Sequence, residues 1–77
     1  MNKARRSMIK DVIESLNDVV DDIQDIVDEE QEAFDNMPEG LQCSERGEAM
    51  EENISDLESA ISDIENIIDS LENVIDR

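Results

Sequence analysis

Residues 50–75 read MEENISDLESAISDIENIIDSLENVI, with apolar side chains at Met50, Ile54, Leu57, Ile61, Ile64, Ile68, Leu71 and Ile75. The steps are 4, 3, 4, 3, 4, 3 and 4, a mean repeat of 3.5 residues. That repeat keeps one stripe of a helix facing a partner helix, whereas a half-buried strand would alternate every second residue. No Pro or Gly interrupts the run. Ile54, Ile61, Ile68 and Ile75 take heptad position a, and Met50, Leu57, Ile64 and Leu71 take d.

The same period runs through the first half at Ile9, Ile13, Leu16, Val20, Ile23 and Val27, and resumes at Phe34 and Met37. Here a is Ile13, Val20, Val27 and Phe34, and d is Ile9, Leu16, Ile23 and Met37. Glu30 falls on a d position, either at a wet helix end or as a buried polar group that sets register. Position g holds Val12, Val19, Ile26 and Ala33 in the first run, and Asn53, Ala60, Ile67 and Val74 in the second. Each helix therefore carries a three-in-seven apolar stripe, wider than a two-stranded seam requires.

Between the runs, residues 35–48 read DNMPEGLQCSERGE. Pro38 lacks an N–H and disfavours a helical Met37, so the first helix should stop there. Gly40 can supply a positive φ and Ser44 can cap the second helix. A rival reading makes Asn36 the N-cap, Pro38 the first helical residue and Glu39 the closing member of a capping box. Short connectors make antiparallel neighbours. The expected fold is all-α: one domain, 1–77, forming an antiparallel two-helix coiled-coil hairpin. Helix 1 spans about 4–36, the corner 37–44 and helix 2 about 45–76. A lone hairpin would leave Val12, Val19, Ile26, Ile67 and Val74 facing water beside core residues such as Ile61 and Ile68. Pairing with a second copy as a homodimeric four-helix bundle is the simplest completion. A helix or groove of another protein is the alternative.

Composition narrows the class. Seventy-seven residues make one small domain, near the size at which a single core barely outweighs chain entropy. Phe34 is the one aromatic, so the core must be aliphatic. Cys43 is the one cysteine, which excludes an internal disulfide and fits a reducing cytosol; a Cys43–Cys43 bridge between chains is the lesser option. The start, MNKARRSMIK, is cationic, but no apolar segment follows it, and no run approaches the ~20 residues that span a bilayer. A soluble, cytoplasmic protein with no membrane contact is expected.

The charge is lopsided. Asp and Glu number 23 against 6 Lys and Arg, a formal net charge of −17. Residues 1–10 hold Lys3, Arg5, Arg6 and Lys10 and no acid; residues 11–76 hold every acid and one base, Arg46. Helical phase puts the acids on the side away from the seam. Asp18–Asp22, Asp21–Asp25, Asp25–Glu29 and Asp28–Glu32 are like-charge i,i+4 pairs, each unfavourable by roughly 0.2–0.5 kcal/mol. The first helix also opposes its own dipole, with cations at its start and acids at its end. A plain account is solubility. The functional account is that the acids meet a basic partner surface. The candidates are Asp18, Asp21, Asp22, Asp25, Asp28, Glu29, Glu32 and Asp35 on the first helix, and Glu48, Glu51 and Glu52 on the second. Spread along a hairpin of about 45 Å, the charge density approaches the one per ~1.7 Å of duplex DNA.

Catalytic and cofactor sites are not expected. There is no His, no Gly-rich phosphate loop and no nucleophile paired with a base. DVVDDIQDIVDEE lacks the Gly and spacing of a calcium loop, and a di-iron bundle needs Glu-x-x-His. Direct nucleic-acid binding is disfavoured because phosphate repels this surface.

The stretch EEQEAFDNMPEGLQCSERGEAMEENISDLESAISDIENIIDSLE resembles a group of small, mostly uncharacterised proteins of bacteriophages and mobile elements. They share a DN-x-P-E-x-L-Q…SERGE-x-M corner followed by I-x-x-LE turns. Asn36, Pro38, Glu39, Leu41, Gln42, Ser44, Glu45, Arg46 and Gly47 carry the distinctive part. The resemblance implies a phage-encoded helical hairpin, and brings no catalytic or binding residues with it. In that setting the expectation is an acidic inhibitor that blocks a nucleic-acid-binding surface of a host or defence protein. A coiled-coil adaptor acting through the apolar stripe is the alternative, and a chaperone-like shield for a basic protein comes third.

Overall fold

The computed structural model describes all 77 residues and contains three helices and no strand. Helix α1 spans Lys3–Asp35, α2 spans Glu39–Gln42 and α3 spans Glu45–Asp76. The two long helices pack along their length as a hairpin, 58 Å long and 15 by 12 Å across at the Cα level.

Local chemistry explains each boundary. Asn2 caps α1: its side-chain oxygen accepts from the Arg5 N–H at 2.8 Å, using one of the orphan donors of the first turn. The helix therefore starts at Lys3, one residue from the expected start near 4. At the far end Asn36 keeps a right-handed conformation and donates to the Glu32 carbonyl, and Pro38 stops further propagation. Asn36 is thus a C-cap, contrary to the rival reading of the corner. Ser44 is the N-cap of α3; its hydroxyl accepts from the Gly47 N–H at 3.4 Å. The rival reading survives only as the single turn α2, which begins at Glu39 and does not continue into α3. Gly40 lies in that turn with no positive φ, so its expected left-handed conformation is absent.

The seam follows the heptads. All sixteen apolar a and d positions assigned above are buried or half-buried, from Ile9 to Met37 and from Met50 to Ile75. Val27, Ile54, Ile61 and Ile68 are the buried core, with Val20, Ile23 and Leu57 packed against the Val27–Ile54–Ile61 cluster. No side chain is completely sealed from water, the consequence of a core only two helices thick. Glu30 is half-buried inside the regular part of α1, not at a frayed end.

The corner is held by one glutamine. Gln42 Nε2 donates to the carbonyls of Phe34 at 3.0 Å and Met37 at 3.2 Å, a second donor for Phe34, which also accepts from the Met37 N–H, and the donor to Met37 just past the end of α1. Beneath it lies Gly47, the one buried glycine, seven residues before Ile54 and hence in phase with the a positions.

Candidate functional site

Two shallow hollows fix how the long helices face each other. Lys10 and Ile13 line one with Glu72, Ile75 and Asp76; Gln24 lines the other with Glu58, Ile61 and Ser62. Lys10 with Glu72 and Gln24 with Glu58 are e positions meeting across one side of an antiparallel pair. The g positions therefore share the opposite side. One flank of the rod is polar and the other carries Val12, Val19, Ile26, Ala33, Ala60, Ile67 and Val74. Of these, Val12, Val19, Ile26 and Ile67 are 43–51% exposed, while Ala60 and Val74 are half-buried.

The same register collects the acids. Beyond the Gln24–Glu58 level, toward the corner, lie Asp25, Asp28, Glu29, Glu32 and Asp35 on α1 and Glu45, Glu48, Glu51, Glu52 and Asp56 on α3. Asp18, Asp21 and Asp22 continue the patch toward the middle of the rod. All eleven candidate partner-binding acids, Asp18 through Glu52, are exposed. Residues 18–62 hold sixteen acids and one base, Arg46, a net charge of −15. Over about 30 Å of helix axis that is one charge per ~2 Å, close to duplex DNA at one per ~1.7 Å.

The two helices bear this charge unequally. Glu45 and Glu48 stand in the first turn of α3, where the positive end of the helix dipole favours them. The last turn of α1 contains no base, so Glu32 and Asp35 face the negative end of theirs. Gln24 donates to Asp28 and Gln31 to Asp35, each at 3.0 Å, which holds those carboxylates in place without neutralising them. The open end of the hairpin differs. There Lys10 stands beside Glu72 and Asp76, and Arg6 occupies an a position, half-buried, with its Nε shielded from water and without an acceptor.

None of the eleven candidate acids lines either hollow. No group of three or more acid or Cys side chains is arranged to hold a metal ion. No helix is long and apolar enough to cross a membrane. Cys43 is exposed in the corner. Three structural residues escaped the pattern reading. Arg6 sits on the seam although it is charged, and its phase, seven residues before Ile13, was the available signal. Gln42 and Gly47 form the corner lock; a glycine at a seam position was the sign that something packs against it.

No family model, curated protein or solved structure matches this chain.

Proposed function

We propose that this chain is a small, non-enzymatic acidic interaction protein whose hairpin pairs with a second copy as a four-helix bundle. Its acidic corner half blocks a basic, nucleic-acid-binding surface of another protein by imitating a polyanion. One observation carries the reading: eleven exposed carboxylates share a half-rod of net charge −15, at a linear density near that of a duplex. A helix selected for stability alone would carry Glu→Lys pairs on this face, and α1 instead accepts repulsion within itself and against its dipole. The resemblance of the corner to phage and mobile-element proteins suggests where such a blocker acts: in the cytoplasm of a bacterial cell, against a host or defence protein.

The test is competitive capture. Immobilised protein in a bacterial lysate at about 50 mM salt should retain basic nucleic-acid-binding proteins, and short duplex DNA should elute them. Retention that duplex DNA and 200 mM salt both leave intact overturns polyanion mimicry, since electrostatic contacts of this kind weaken steeply over that range.

A second reading rests on the exposed apolar flank. A coiled-coil adaptor would bind through Val12, Val19, Ile26 and Ile67. Its partner would then be lost with Ile26→Glu or Ile67→Glu and kept when Asp21, Asp25, Asp28 and Glu32 are neutralised.

A further inference from the structure

We infer that two hairpins pair antiparallel through the g-position flank, with the two-fold axis at Val19, so that the two acidic corners point to opposite ends of one rod. The inference rests on the pairing proposed above and adds its face and direction. The flank must be covered by something. The hairpin exposes 5715 Å² at 8.7 kDa, whereas a folded chain of that mass normally exposes about 4,700 Å². The excess of about 1,000 Å² matches the ~800 Å² that each partner buries in a standard interface.

Charge selects the occupant and its direction. A parallel pair would set corner against corner, net −15 facing −15. The apolar g residues run from Val74, beside the first turns of α1, to Ala33 near the corner, and Val19 is the middle of that span. Two-fold symmetry about Val19 makes Val12 of one copy level with Ile26 of the other. It also sets the corner half of each copy, net −15, against the open half of the other, net −2 (−17 less −15). The one cationic segment of the chain, residues 1–10, thereby lies at the axial level of the other copy's acidic corner. An unrelated apolar helix would cover the flank and leave both charge excesses unrelieved.

Cys43, the one cysteine and exposed, is a built-in reporter. The full chain carrying a nitroxide there should sediment as a dimer with labels about 55 Å apart, twice the axial distance from Val19 to the corner at 1.5 Å per residue. Labels within about 25 Å, two helix diameters, overturn the antiparallel direction and leave the pairing intact. A monomer at 100 µM with no dipolar signal overturns the pairing itself.

Discussion

Gly47 lies against the backbone of Gln42: a Cβ at position 47 would stand 2.6 Å from the Gln42 carbonyl carbon and 2.8 Å from its Cα. Those atoms belong to the residue whose side chain closes the C-terminus of α1, so they cannot retreat without breaking that closure. Gly47→Ala should cost about 1–3 kcal/mol, the range for forcing atoms into a filled site. Gly40→Ala meets nothing within 4 Å and no positive φ. It should be neutral or stabilising by about 0.4–1 kcal/mol through the unfolded chain. Thermal unfolding followed by circular dichroism separates the pair; equal effects would contradict the corner geometry.

Gln42→Glu keeps the shape and removes the amide donor. A carboxylate would then face the carbonyls of Phe34 and Met37; Phe34 keeps the Met37 N–H as donor, while the Met37 carbonyl loses the donor it has. Leaving part-buried acceptors unsatisfied costs about 1–3 kcal/mol. For a domain of this size 1 kcal/mol lowers Tm by roughly 4–8 °C. Hydrogen exchange should show the loss first in the last turn of α1, and protection unchanged there would refute the assigned role.

What was readable beforehand follows from range. The 3.5-residue spacing marks the seam because period acts along one helix, and every apolar a and d residue is shielded as that period requires. Exposure of the acids was readable for the same reason. The corner was only half readable. Ser44 is the cap because its hydroxyl reaches the Gly47 N–H three residues on, a local pattern. The glycine that matters is Gly47, not Gly40, since the need at Gly47 is steric and arises only when the Gln42 turn folds over the start of α3. Spacing within a helix carries no record of that encounter. Nor does it separate a polar flank from an apolar one: Lys10 had to be seen beside Glu72, and Gln24 beside Glu58, before the g residues fell together.

Asp25 is the residue where stability and the proposed function pull apart. It is exposed and forms like-charge i,i+4 pairs with both Asp21 and Glu29. Asp25→Lys turns two repulsions into two attractions and should stabilise the hairpin by about 1 kcal/mol at low salt. The same change adds a cation to the centre of the acidic patch, so binding to a basic partner should weaken. A gain in stability with undiminished binding would mean that the acids serve solubility alone.

Neutralising Asp21, Asp25, Asp28 and Glu32 together, as Asn and Gln, extends this to a quantitative test against salt. The wild-type Tm should rise as NaCl increases from 10 to 500 mM, because screening at a Debye length of about 30 Å falling below 10 Å removes repulsion between exposed neighbours. Three of the five acidic i,i+4 pairs on α1 vanish outright in the variant, and Glu14–Asp18 and Asp18–Asp22 remain, so its Tm should start higher and change less over the same range. Helical content should be preserved, since all four side chains are exposed and none touches the seam. If the wild-type Tm is flat with salt, the α1 carboxylates do not repel one another enough to matter. The case that this face was kept acidic against its own stability then fails, whatever the partner.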